Sequence, residues 1–111
     1  MKDCCIVKYL PDHPVYTRQS VDQAYCELFG VTPDRVIGRS CLESTPVAER
    51  AKVIQKISRC IKQDAAIPST ENSLKADGSL FLMRWIDIPI TDADDSVVEM
   101  IAVGTSITMP R

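Results

Sequence analysis

Short runs of apolar residues, typical of strands, occupy both ends of the chain. Runs rich in β-branched and aromatic residues and bounded by turn formers favour β-structure. They predict five strands, at residues 4–10, 15–19, 70–75, 80–90 and 97–108. The turn at 11–14 makes the first two a hairpin, and the turns at 76–78 and 91–96 make the last three an antiparallel meander. Pro89 lacks an N–H, so we expect it at an unpaired edge position or a bulge.

The middle of the chain has helical signals instead. Ser20 is the expected cap of a short helix that runs through Leu28, because a hydroxyl oxygen can accept a free N–H of the first turn. Gly30 is expected to end this helix, since glycine tolerates the left-handed backbone that follows a helix. A second short helix is expected to begin at Thr32, with proline at its first position, and to close at Gly38.

The longest predicted helix spans residues 46–63. Its apolar residues recur at spacings of three and four and so form one stripe. That stripe consists of Val47, Ala51, Ile54, Ile57 and Ile61. Two strands, several helices and then three strands indicate an α+β fold, because a parallel sheet would need strands and helices in alternation.

The last two predicted strands are apolar on both faces. Side chains alternate between the faces of a strand, so Met83 and Trp85 share one face with Met100, Ala102 and Gly104. The opposite face would be solvated in an isolated antiparallel sheet. It carries four β-branched residues, which indicates a partner surface or a flanking helix of the same chain. These dimer-surface candidates are Ile86, Ile88, Ile101 and Val103.

Composition narrows the possible partners. A chain of 111 residues fits one domain, and a net charge of −2 with scattered Lys and Arg argues against nucleic acid. No apolar run reaches the length of a membrane span, and residues 1–5 lack a signal-peptide core. We therefore expect a cytoplasmic protein without membrane contact.

The five cysteines give no sign of a metal or haem attachment site. No Cys-x-x-Cys pair occurs, and the only histidine is His13. In a reducing compartment such cysteines are expected to be small buried hydrophobic residues. We expect no metal site.

Five short segments of the chain form a recognisable series. They are VDQAYCELFG (21–30), VIGRS (36–40), KADGS (75–79), ITDADD (90–95) and VGTSIT (103–108). In this order they resemble motifs of PAS domains, the sensory modules of bacterial signalling proteins.

Three positions depart from the family pattern: Asp22 stands for a frequent Asn, Asp95 for a turn Gly and Ser106 for an Asp that often couples the domain to a following helix. Arg111 lies where that helix would begin, so we expect the single domain 1–111 to belong to a longer multidomain protein.

This resemblance implies a five-stranded antiparallel sheet with helices packed on one face. It also implies a homodimer that senses a ligand, redox state or light and signals to an output domain of the same chain, such as a kinase, a cyclase or a transcription activator. A small apolar ligand is a possible occupant of the core. The candidate cavity residues are Cys26, Cys41, Ile54, Ile57, Met83, Trp85, Met100, Ala102 and Gly104.

A flavin and a haem are both disfavoured. The segment around Cys41 resembles that of light-oxygen-voltage flavin domains, whose cysteine forms a photoadduct. The polar residues with which those domains hold flavin correspond here to residues that include Ser73, Met83 and Gly104. The helix 46–63 has no histidine for haem.

Catalysis is not expected, because the acidic residues cluster in turns. Three hypotheses remain open: a ligand-binding sensor, a ligand-free dimerisation module and a flavin photoreceptor.

Overall fold

The computed structural model describes residues 4–107 and has an α+β architecture. Five antiparallel strands form one sheet in the order β2-β1-β5-β4-β3, with the helices on one face. Short 3-10 turns at Cys41–Ser44 and Val47–Glu49 precede the last helix. The elements are β1 (Cys4–Tyr9), β2 (Arg18–Val21), α1 (Gln23–Phe29), α2 (Pro33–Val36), α3 (Arg50–Gln63), β3 (Ile67–Leu74), β4 (Leu80–Thr91) and β5 (Val97–Ser106).

The predicted meander of the last three strands is confirmed, although the end of the last predicted strand, at Thr108, lies outside the described residues. Strand β4 pairs with β3 on one side and with β5 on the other. Pairing with β3 ends at Asp87, so Pro89 lies where β4 has lost one neighbour, as expected for a residue without an N–H. Asp95 has φ 61°, in the left-handed region that favours the glycine it replaces.

The second strand begins later than predicted. It starts at Arg18, because the preceding residues form a loop closed by Asp12. The Asp12 carboxylate accepts the backbone N–H of Thr17 at 2.7 Å and also the Thr17 hydroxyl. Val15, which we expected in the strand, is 45% exposed in this loop.

The predicted cap at Ser20 is wrong. Ser20 lies within β2, opposite Lys8 of β1. Asp22 caps helix α1 instead, and its Oδ1 accepts the N–H of Tyr25 at 2.9 Å. Gly30 ends this helix at φ 70°, as predicted.

The long predicted helix begins four residues later, and the predicted stripe is only partly its buried face. Ile57 is buried, and Ile54 and Ile61 are partly buried and pack against the core. Val47 is 75% exposed in a 3-10 turn, and Ala51 is exposed at the start of α3. Of the predicted stripe, only Ile57 is fully buried. The buried face also includes Lys56, because the Lys56 ammonium forms ion pairs with Glu71 and Asp87 of the sheet. Its buried residues are Val53, Lys56, Ile57 and Cys60.

The core between the helices and the sheet is largely filled. The rings of Tyr25 and Phe29 stack with centroids 4.2 Å apart, and Phe29 meets Phe81 edge-on at 5.0 Å. Met83 and Met100 are completely buried on the inner face of the sheet, as the alternation predicts.

The outer face of the sheet carries a continuous apolar patch. Val103 pairs with Ile86 on one side and with Ile6 on the other, and Ile88 pairs with Ile101. Ile6 and Ile86 are each about two-fifths exposed, at 43% and 39%. We call these five residues the outer sheet patch.

Candidate functional site

A small cavity of about 50 Å³ lies in the core, between the sheet and the helices. Strands β1 to β5, helices α1 and α3 and the turn at Cys41–Ser44 all contribute to its walls. The structure places four of the predicted cavity residues in the wall: Cys41, Ile57, Trp85 and Ala102.

The other predicted cavity residues do not line this space. Met83 and Met100 are fully buried and act as packing in the filled part of the core. Cys26 and Ile54 are partly buried on α1 and α3. Gly104 lies beneath a large aromatic ring instead of beside the cavity. A Cβ built on Gly104 would stand 2.5 Å from Cζ3 of Trp85.

The wall contains charges that the sequence analysis did not anticipate. The Lys56 ammonium lies 2.8 Å from Oδ1 of Asp87 and also pairs with Glu71. It donates a further hydrogen bond to the Ser69 hydroxyl at 3.0 Å. We call Lys56, Glu71 and Asp87 the buried ion cluster. A buried cation is tolerated only when it is paired and hydrogen-bonded in this way.

Burial and charge act in opposite directions on Lys56. Removal from water lowers its pKa, while the carboxylates of Asp87 and Glu71 raise it, and the net pKa lies above the ordinary value. The Lys56 side chain therefore stays protonated and holds two strands, β3 and β4, against helix α3.

Tyr9 adds a neutral hydroxyl to the same group. Its phenol donates a hydrogen bond to Oδ2 of Asp87. Burial, and then the negative charge of Asp87, raises the pKa of Tyr9 far above its ordinary value. Asp87 is thus held from two sides, by an ammonium and by a phenol that does not ionise near neutral pH.

Arg18 is a second buried cation, and it has fewer partners. The residue is 2% exposed. Its Nη2 donates to Ser44 Oγ at 3.2 Å and to the Cys41 carbonyl at 3.5 Å, and its guanidinium carbon lies 5.8 Å from the centre of the Tyr25 ring. Its Nη1 is buried without a hydrogen-bond partner. Within residues 4–107, no carboxylate forms an ion pair with it.

The Cys41 thiol faces this polar region but is not activated by it. Burial raises the pKa of Cys41 to about 12, although the nearby charge of Arg18 acts in the opposite direction. A thiol with such a pKa is protonated near neutral pH and is a poor nucleophile.

A basic cleft of about 450 Å³ opens to solvent next to the cavity. Arg35, Arg39 and Lys75 line it, and Arg39 is engaged by Glu43 at 2.8 Å. The cavity and the cleft share three wall residues, so Arg18 lies where the two spaces meet. The shared residues are Arg18, Tyr25 and Ser44.

One signal in the sequence indicated the charges of the buried ion cluster. Asp87 falls on the inner face of β4 by simple alternation, and a carboxylate on an inner face requires a partner. Which cation supplies that partner depends on the docking of α3, which local patterns do not reveal. Arg18 gave no signal, because its burial depends on contacts with Ser44 and Tyr25, which local patterns do not reveal.

Among residues 4–107, no group of three or more His, Cys, Asp or Glu side chains could hold a metal ion. No helix in that range is long and apolar enough to cross a membrane.

A family model described as the PAS fold matches residues 18–104 of the chain. The chain therefore belongs to the PAS fold family, and it has the architecture of a sensory module of signal transduction. The comparison with curated protein sequences found no match.

Solved structures of PAS and light-oxygen-voltage domains share this fold. The PAS domain of a protein from Colwellia psychrerythraea matches with a TM-score of 0.85 at 13% identity, over 95% of this chain and 86% of that chain. A light-oxygen-voltage domain of a blue-light activated histidine kinase from Erythrobacter litoralis matches with a TM-score of 0.80 at 15% identity. The match covers 95% of this chain and 96% of that chain. A light-oxygen-voltage domain studied with a flavin analogue matches with a TM-score of 0.81 at 19% identity, over 94% of this chain and 77% of that chain.

Proposed function

We propose that this domain is a sensor that binds a small molecule in its core cavity and regulates an attached output domain. The observation that carries the proposal is a small cavity with a mostly apolar lining, into which the buried ion cluster and Arg18 bring charged groups. A few placed polar groups among apolar side chains are the usual composition of a ligand site. The small ligand expected from the sequence would thus meet both apolar walls and charged groups.

The proposal assigns the domain a binding role and no catalytic step. Both buried acids, Glu71 and Asp87, pair with Lys56, so neither is arranged as a free general base. We also propose that the domain works in the cytosol, since Cys5 and Cys60 are free thiols buried in its core.

A flavin cofactor fits this core poorly. Pockets that enclose drug-sized ligands typically occupy about 300–1,000 Å³, well above the cavity volume. The ring of Trp85 lies against Gly104, at the position where flavin domains place a reading glutamine. Cys41 lines the cavity. We expect purified protein supplied with flavin to remain colourless, and a visible flavin absorption band would overturn this expectation.

Dimerisation is the second part of the proposal, with another copy of this chain as the partner. PAS domains commonly dimerise, and the outer sheet patch is apolar across three adjacent strands. Charges of both signs border it, with Arg84 beside Thr105 toward one end and Glu99 beside Ile90 toward the other, which suits a self-complementary contact between two copies. A ligand-free module that only dimerises is the alternative function.

Native mass spectrometry of gently purified protein tests ligand binding. We expect a fraction of the protein to carry an additional small mass. Ala102→Leu adds side-chain volume in the cavity wall and should remove this mass, whereas Val47→Leu on the exposed 3-10 turn should retain it. Equal occupancy in the two variants, or no bound mass in any protein, favours the ligand-free alternative.

A further inference from the structure

Arg18 and Asp87 each have a buried polar atom without a hydrogen-bond partner in the described residues. Oδ1 of Asp87 still lies 2.8 Å from the Lys56 ammonium, whereas Arg18 has no ion pair within residues 4–107. Its Nη1 is buried and donates to no group in the described residues. A guanidinium has five N–H donors, and leaving a buried one unused is costly. Lys56, in contrast, is already paired with both carboxylates of the buried ion cluster. An incoming anion would therefore meet Arg18 as the available cation.

We propose that Arg18 binds the carboxylate of a short-chain monocarboxylic acid, of the size of acetate or propionate. This inference rests on the proposed function and names the class of ligand that the cavity takes. A planar carboxylate matches the guanidinium fork, and such charge-assisted bonds are among the strongest in proteins.

The volume and the walls of the cavity set the size of the ligand. One water needs roughly 10–15 Å³ of such space, so the cavity of about 50 Å³ has room for a handful of heavy atoms. Apolar groups of Val7, Trp85 and Ala102 also line it and suit a methyl or ethyl group. A phosphate has no apolar end, and its second charge would face Asp87 and Glu71 with Lys56 already engaged.

The basic cleft supplies a route by which the anion can enter. Arg18 lines both the cavity and the cleft, and so do Tyr25 and Ser44. Arg35 and Lys75 give the mouth of the cleft a positive potential, which raises the local concentration of anions. An anion that enters the cleft therefore meets Arg18 at the inner end.

Trp85 provides the readout, because it is the only tryptophan and it lines the cavity. Wild-type protein is titrated with sodium acetate or sodium propionate, and with acetamide, propionamide, sodium chloride and potassium phosphate as controls at matched ionic strength. We expect a saturable change in Trp85 fluorescence and a higher melting temperature with the two carboxylates alone. An amide that acts as strongly as its carboxylate overturns the proposal, as does a response to chloride or phosphate of the same size.

The variant Arg18→Met keeps much of the side-chain volume and removes the charge. We expect it to weaken carboxylate binding by about ten- to hundred-fold, the loss typical of a charge-assisted hydrogen bond. Arg59→Gln is the matched control, since Arg59 is an exposed arginine of helix α3 that lines neither the cavity nor the cleft. A folded Arg18→Met protein that binds as wild type, or an equal loss in Arg59→Gln, contradicts the proposal. If Arg18→Met does not fold, the comparison of carboxylate with amide in wild type decides.

Failure of this inference is distinguishable from failure of the proposed function. A different small molecule found by native mass spectrometry, without a carboxylate response, would refute the ligand class and leave the sensor function standing. No bound mass and no response to either carboxylate would refute both.

Discussion

Gly104 lies in a part of the core that has no room for a side chain at this position. Its Cα lies under Trp85 and Met83, and an added Cβ would approach Cε of Met83 to 2.7 Å and the indole more closely still. We expect Gly104→Ala to lower the free energy of unfolding by about 1–3 kcal/mol, the usual effect of overpacking. Urea unfolding of this variant beside Thr105→Ala, whose side chain is exposed, measures the difference. Equal stability of the two variants would show that the indole moves aside freely.

The Tyr9 phenol makes stability depend on alkaline pH. Its pKa is raised in the folded protein, while the unfolded chain titrates near the ordinary value of 10.0. Above that pH the unfolded state loses a proton that the folded state keeps, so stability falls as pH rises, by up to about 1.4 kcal/mol per pH unit. Tyr9→Phe should be less stable at neutral pH, because Oδ2 of Asp87 loses the hydrogen bond from the phenol, but should decline less steeply above about pH 10. Urea unfolding over the alkaline range compares the slopes, and parallel curves would contradict the prediction.

Helix α3 packs through Ile57 and not through the start of the predicted stripe. Ile57 is 1% exposed and lines the cavity, whereas Val47 lies on the surface. We expect Ile57→Ala to cost about 2–5 kcal/mol and Val47→Ala less than about 0.5 kcal/mol. Ile54→Ala, at a partly buried position, should fall between them. Chemical denaturation of the three variants gives the order, and a large loss for Val47→Ala would restore the original stripe.

The helix shows why periodicity alone gave only part of the buried face. Isoleucines at spacings of three and four formed a reasonable stripe, and Ile57 belongs to both faces. Lys56 reads as a solvated residue in isolation. It is buried because Asp87 and Glu71 come from strands that follow it in the chain, and no local pattern contains that pairing. The cap of α1 was misplaced for a simpler reason: both Ser20 and Asp22 are good caps, and the strand continued past the first.

At the scale of the whole molecule, the order of elements was predictable and the interior was not. Turn sequences and alternation gave the meander and the inner positions of Met83, Trp85 and Met100. The shape and polarity of the cavity depend on side chains that five strands and two helices bring together, which a single sequence does not reveal. The sequence therefore predicted the apolar residues of the cavity wall but not Arg18 or the buried ion cluster, which also line it.

Self-association is the prediction that belongs to the whole molecule. Ile101→Lys places a charge in the middle of the outer sheet patch, where a dimer contact would bury it without a partner. We expect the dimer to dissociate more readily by about 2–5 kcal/mol, or roughly 30-fold or more in the dissociation constant. Analytical ultracentrifugation measures association, and circular dichroism checks that each protein is folded.

Val47→Lys is the matched control, since it also adds a charge at an exposed apolar position, but outside the patch. Unchanged association of a folded Ile101→Lys protein would remove this face from the interface. A wild type that stays monomeric would leave the patch to a flanking helix.

The pairing of β1 with β5 has a mechanical consequence. Cys4 lies opposite Thr105, so the start of the first strand and the end of the last lie side by side. Hydrogen bonds between antiparallel strands run perpendicular to them, so tension applied between these two residues pulls the bonds open one after another. Tension on the chain through these two residues would thus unzip the middle strand of the sheet first. Such an opening exposes Ala102 and Met100 before either edge strand separates, and it gives this fold little resistance to a stretching force.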